Sequence, residues 1–191
     1  MNKINSLAIF CGSSLGNNDL YKLKAQEMGK ALVEKKISLI YGGGNIGLMG
    51  KIATYVSSHD TEVIGVLPEK LNVPQVVNKN IETKRIIVDT MHERKAKMYE
   101  LSDGFIAMPG GIGTFEELFE SYTWLQLGYH SKPVGLLNVD GFYDDLLSFL
   151  KNACDSGFMK KIVLDKLIVD DDPLSLIEKM ESIDLDLPLK V

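Results

Sequence analysis

Two stretches of this chain hold residue types that could do chemistry together. The first is "PGGIGTFEELFE" (109–120), in which Gly110, Gly111 and Gly113 run into a helical pattern that opens with Glu116 and Glu117. Glycines let backbone N–H groups turn toward a ligand, and a helix N-terminus adds about half a positive charge, so such a turn suits a phosphate. Thr114 can cap the helix or give its hydroxyl to the same anion. Two glutamates within a turn are poor company for phosphate alone. A carboxylate there makes sense where positive charge develops, as at the sugar carbon during glycosidic cleavage, whose transition state resembles an oxocarbenium ion. Thr114-x-x-Glu117 also reads as a capping box, with Glu117 returning to the Thr114 N–H. Both readings stand on sequence alone.

The second stretch is "MHERKAKM" (91–98). Met91, Arg94, Met98 and Leu101 share one helix face, which puts a guanidinium inside an apolar stripe. It needs a carboxylate or phosphate partner there, unless it is a structural ion pair or snorkels to solvent. Lys95 and Lys97 say less, and Lys97 is expected in solvent. A third stretch, "YGGGNIGLMG" (41–50), contains Gly42-x-Gly44-x-x-Gly47, with Glu69 22 residues beyond Gly47. That satisfies the dinucleotide-binding spacing, although a triple glycine meets it easily and the motif follows the second strand rather than the first. A P-loop fails, because Ile52 follows Gly50-Lys51 where Ser or Thr must hold Mg²⁺. His59, His92 and His130 show no metal-ligand spacing to one another or to the cysteines. Ser13 and Ser14 lack a nucleophile elbow, and Cys11 reads as a small buried residue.

The elements that position these residues follow from periodicity. Apolar, non-alternating runs predict strands at 6–11, 37–42, 62–68, 85–89, 104–109, 134–138 and 166–171; helical patterns predict helices near 18–35, 46–58, 90–101, 114–127, 141–155 and 173–183. Strands apolar on both faces, alternating with helices, predict an α/β fold: a doubly wound, Rossmann-like parallel sheet forming one domain over 1–191. Asp172-Pro173, Asp140-Gly141 and Thr90 ahead of Glu93 read as helix starts. Phe115, Leu118, Phe119, Tyr122 and Leu125 form the expected buried stripe of the helix at 114–127. The segment 68–84 has two prolines and poor periodicity, and reads as a loop or lid. In such sheets ligands bind beyond the carboxyl ends of the strands. Residues 11–14, 42–47, 68–84 and 109–114 all fall there, which makes Ser13, Gly42, Gly43 and Gly44 candidate ligand contacts beside the 109–114 turn.

The 191 residues, 45% hydrophobic and 25% charged, are enough for one domain that buries roughly 70% of its unfolded surface. A net charge of −5 without a Lys/Arg run argues against nucleic acid as a partner. No apolar run approaches a membrane span, and two cysteines fit a reducing cytoplasm, the expected location.

"MHERKAKM" followed by "PGGIGTFEELFE", with "FCGSS", "YGGGNIGLMG" and "TWLQLGYHSKPVGLLN", resembles the LOG-type cytokinin riboside 5'-monophosphate phosphoribohydrolases, a family once labelled lysine decarboxylases. The resemblance runs from the first strand to about residue 180. It implies a homodimer that hydrolyses the N-glycosidic bond of an N6-substituted AMP to free base and ribose 5-phosphate, with no metal or redox cofactor. By position it makes Arg94 and Glu117 the catalytic pair, puts the phosphate on Gly111 to Thr114, and has Lys95 and Thr123 line the nucleotide site. Glu116 joins the expected substrate contacts. Gln75 departs from the pattern, since plant members carry a glutamate there that contacts substrate. No lysine sits in an evident pyridoxal phosphate site, so the older label lacks chemical support. Three other readings compete: a nucleotide carrier or sensor without turnover, which has no need of both Arg94 and Glu117; a plain AMP nucleosidase; and an NAD-type oxidoreductase resting on the 42–47 glycines alone.

Overall fold

The described residues form one seven-stranded sheet, all parallel, in the order β4-β3-β2-β1-β5-β6-β7. The strands are β1 (Ser6–Phe10), β2 (Ser38–Tyr41), β3 (Val63–Pro68), β4 (Lys84–Val88), β5 (Gly104–Ala107), β6 (Val134–Leu137) and β7 (Leu167–Asp170). The computed structural model describes residues 2–73 and 81–187, so Gln75 and the middle of the expected loop at 68–84 lie outside the described residues. The helices are α1 (Asp19–Lys35), α2 (Gly47–Ser57), α3 (Met91–Leu101), α4 (Ile112–Leu127), α5 (Asp144–Asp155), α6 (Lys161–Leu164) and α7 (Pro173–Ser182).

Alternation along each central strand divides its side chains between two cores. Leu7 and Ile9 of β1 and Ile106 of β5 pack with α1, α2 and α7. Ala8, Phe10, Phe105 and Ala107 pack with α3, α4 and α5 on the other face. Both faces are covered, which is why these strands read as continuous apolar runs. β4 at the sheet edge is the least buried.

All seven predicted strands and six predicted helices are present, with differences at specific ends. α4 begins at Ile112, two residues early, with Gly111 as its cap residue and no side-chain cap. Thr114 is therefore the third residue of the helix, and the expected capping box does not form; Glu117 turns instead to Arg94. α5 begins at Asp144 because Asp140 (φ 52°) and Gly141 (φ 70°) sit in the left-handed region, which a right-handed helix cannot continue through. Asn18, Thr90 and Asp172 do cap, accepting from the N–H of Leu20, Glu93 and Ser175. The short α6 carries too few residues for a periodic signal. Phe119 is 37% exposed, outside the buried stripe to which its spacing assigns it.

Candidate active site

Strand order reverses between β1 and β5, and the crevice beyond their carboxyl ends is where such a sheet takes ligands. The loop after β1 is tied to the turn after β5 by the Gly12 N–H, which donates to the Pro109 carbonyl at 3.0 Å, and to the start of α2 by the Leu48 N–H, which donates to Gly12 at 3.0 Å. Topology thus brings together three of the four groups expected at one edge. A cavity of about 280 Å³ opens over them, lined by Ser13, Arg94, Gly111, Gly113, Thr114 and Glu117 among others. A second, of about 320 Å³, adjoins it across Gly12, Ser13 and Gly111.

α4 enters this crevice with its N-terminus bare. The first bond back along the helix is the Phe115 N–H to the Gly111 carbonyl at 3.1 Å, so the N–H groups of Ile112, Gly113 and Thr114 lie ahead of the intrahelical ladder. No acidic residue stands in the first turn. A Cβ added to Gly111 or Gly113 would meet nothing within 4 Å, and neither residue has positive φ. Neither packing nor backbone strain requires glycine at these two positions; open access to the backbone accounts for it. Gly110 is different, since its Cβ would fall 2.2 Å from Thr114 Oγ1, so it is glycine for close packing.

Arg94 reaches the site from α3. Its Nε donates to the Val66 carbonyl within β3 (3.2 Å), and its Nη1 donates to Glu117 Oε1 at 2.9 Å. The guanidinium lies over Gly42, where a Cβ would stand 2.3 Å from Nη2. That is the physical reason for glycine at position 42. Gly43 has φ 73° against Leu67, and Gly44 makes only ordinary contact with Met49. The arginine in the apolar stripe thus has the carboxylate partner its placement demanded.

Glu117 is 8% exposed. Burial pushes its carboxyl above the usual glutamate value, Glu116 adds to this, and Arg94 and Lys95 offset part of it. No described residue bonds Oε2. Cys11 is buried nearby, and burial together with the Glu117 charge raises its thiol well above its ordinary value, which removes it as a nucleophile.

Other expected site residues are placed differently. Lys95 is buried and faces α4, where its ammonium pairs with Glu116 and with Glu120 (3.0 Å) instead of entering the cavity. Glu116 is half exposed and engaged in that pair. Thr123 is exposed on α4, six residues past Glu117 or about 9 Å along the helix, and does not line the cavity. Val66 and Met49 join the site, and neither carries a sequence signal, because one acts through its carbonyl and the other as a wall. Tyr99 and Glu120 were also missed; their i+4 spacing from Lys95 and Glu116 was the available signal. Among the described residues no three His, Cys, Asp or Glu side chains gather as a metal site, and no helix is long and apolar enough to cross a membrane.

Residues 49–180 match a family model described as "Possible lysine decarboxylase". The chain is 51% identical over 153 residues to cytokinin riboside 5'-monophosphate phosphoribohydrolase LOG2 of Arabidopsis thaliana, covering 80% of this chain and 71% of that protein. It is 45% identical over 179 residues to LOG1 of the same plant, covering 94% and 84%. A solved molybdenum cofactor binding protein from Rippkaea orientalis superposes with a TM-score of 0.69 at 22% identity over 94% of this chain and 97% of that one, a likeness of fold. On this match and these identities, the chain belongs to the LOG family, which the lysine decarboxylase description also covers.

Proposed function

We propose that the protein hydrolyses the N-glycosidic bond of an adenosine 5'-monophosphate, N6-substituted as in a cytokinin riboside 5'-monophosphate, to free base and ribose 5-phosphate. The observation that carries this reading is the buried Arg94–Glu117 pair, one turn from an uncapped helix N-terminus whose glycines leave the backbone open. The relatives named above support it, being called phosphoribohydrolases of that substrate. A carrier needs the anion cradle but gains nothing from burying a carboxylate beside it.

The 5'-phosphate rests on the N–H groups of Ile112, Gly113 and Thr114, with Ser13 across the crevice. This directs C1' toward Glu117. As the C1'–N9 bond breaks, its electron pair leaves with the base, which takes up a proton, and positive charge builds on the sugar. The buried carboxylate stabilises that charge. Its raised affinity for protons also suits it to take the proton of the water that attacks C1', and releasing that proton balances the one taken up by the departing base and restores the carboxylate. Arg94 fixes one carboxylate oxygen and leaves the other for the reaction. Thr123, exposed on α4, fits a substrate contact made across a homodimer, in which α4 of one copy faces the crevice of another. A cytoplasmic location completes the reading.

The test is a product assay with AMP and, separately, isopentenyladenosine 5'-monophosphate, with Glu117→Gln alongside. Free base from the wild type and not from the variant supports the reading, and the ratio between substrates separates a cytokinin-type enzyme from a plain AMP nucleosidase. Bound but intact nucleotide in every tube would favour the carrier.

A further inference from the structure

A second set of charged contacts joins α3 to α4 beside the Arg94–Glu117 pair, and the proposed reaction does not use it. Lys95 follows Arg94 in sequence, Glu116 precedes Glu117, and the Lys95 ammonium bonds both Glu116 and Glu120, the latter at 3.0 Å. The other oxygen of Glu120 accepts from the Tyr99 hydroxyl at 2.6 Å. Lys95, Tyr99 and Glu120 do not line the cavity. Burial works to lower the Lys95 ammonium, but its bonds to the two glutamates outweigh this and hold it above its ordinary value, so it stays charged. The Lys95 charge is close enough to be felt at Glu117.

Two cations of α3 therefore face three carboxylates of α4, and pairing could be exchanged between them. Arg94 holds a single oxygen of Glu117. A flexible lysine one residue along is the nearest rival for the other oxygen. Glu116 alone is a weak restraint on it, being half exposed and screened by solvent. Glu120 is less exposed and is itself oriented by Tyr99.

We propose that Glu120 and Tyr99 are positioning residues that hold the Lys95 ammonium away from Glu117, so that Glu117 keeps Arg94 as its only cation and one oxygen for the substrate. This rests on the phosphoribohydrolase reading. The charged groups facing Glu117 are Arg94 and Lys95 from α3 and Glu116 on its own helix, with the Cys11 thiol at the end of β1 and the Tyr99 hydroxyl 3.5 Å from its carbonyl. A second cation on the carboxylate would occupy the free oxygen and weaken it as a base.

The experiment measures kcat, KM and the acid limb of the kcat profile for wild type, Glu120→Gln, Tyr99→Phe, Lys95→Met and the Glu120→Gln/Lys95→Met double variant, with thermal melts as a check on folding. Glu120→Gln is expected to lower kcat roughly ten- to hundredfold, the scale of a small misplacement at a reacting centre, with KM little changed. Its acid limb moves to lower pH, because the released ammonium favours ionised Glu117. Tyr99→Phe moves both in the same direction by less. Deleting the lysine as well removes the rival cation, so the double variant recovers toward the kcat of Lys95→Met alone, a coupling of opposite sign to that of a simple brace. Losses that multiply in the double variant with an unmoved acid limb would overturn the proposal, as would a Glu120→Gln enzyme indistinguishable from wild type. Should Glu120→Gln fail to fold, Tyr99→Phe with and without Lys95→Met carries the same comparison. A wild type that releases no base from either nucleotide overturns the phosphoribohydrolase reading and this one with it; an active wild type with unchanged variants overturns the positioning role alone.

Discussion

Replacing Gly42 by alanine tests the proposed active-site geometry through one methyl group. Gly42 does not have positive φ, so alanine fits the backbone there, and the cost falls on its neighbour. The new Cβ would lie 2.3 Å from Arg94 Nη2, whereas non-bonded contact begins near about 3.5 Å, so the guanidinium must retreat by about 1 Å. It cannot do so freely, being held by the Val66 carbonyl at 3.2 Å and Glu117 Oε1 at 2.9 Å. Retreat stretches or breaks one of these bonds, each worth about 1.5–3 kcal/mol as a hydrogen bond of a charged group. A displacement of this size at a reacting centre costs on the order of a hundredfold in rate. The expected result is a fall in kcat of that order with KM little changed, read from base release at varied nucleotide concentration, and a melting temperature lowered by only a few degrees. A Gly42→Ala enzyme with wild-type kcat, or one whose KM alone rises, would refute the claim that position 42 is glycine to seat Arg94.

The same reasoning gives a different outcome at Gly111, where an added Cβ meets nothing within 4 Å. Gly111→Ala should leave stability within about 1 kcal/mol of wild type, the gain in chain entropy being offset by alanine's poorer fit at a helix cap, while KM for the nucleotide rises, as isothermal calorimetry with ribose 5-phosphate would also register. Because burial raises Glu117, kcat should fall on the acid side along a limb above 4.5, the ordinary glutamate value, and the limb should vanish in Glu117→Gln. The sign for stability is the reverse of a salt-bridged acid: protonated Glu117 is favoured in the folded state, so its contribution is intact below 4.5 and is lost as pH rises through the shifted value. Glu117→Gln should therefore gain in melting temperature relative to wild type on going from acid to neutral pH.

Much of this site was legible because its parts are local. The 109–114 turn, its glycines and the helix that follows lie within one short stretch, and the apolar strands on either side fix which edge of the sheet receives them. Arg94 betrayed itself by breaking the stripe of α3, which demanded a partner without naming it. The start of α4 was harder to read. Gly111 and Ile112 resemble turn residues, and Thr114 looks like a cap, so the spacing places the helix start two residues late and leaves open a capping bond for Glu117 that it does not make.

By itself, then, the sequence determined the parallel sheet, the edge where its glycine-rich turns gather, the turn that leads into α4 and the presence of a cation in search of an anion. These follow from periodicity and from spacings of a few residues, over which the backbone leaves little choice. The tertiary structure alone decided that Arg94 pairs with Glu117 at 2.9 Å, that Lys95 is buried against Glu116 and Glu120, and that Gly42 is bare to make room for a side chain 52 residues away. Two cations of α3 meet three carboxylates of α4, and sequence order leaves open which cation takes which carboxylate. That choice is made by the Val66 carbonyl, which holds Arg94 from β3, and by the packing of α3 and α4 on one face of the sheet.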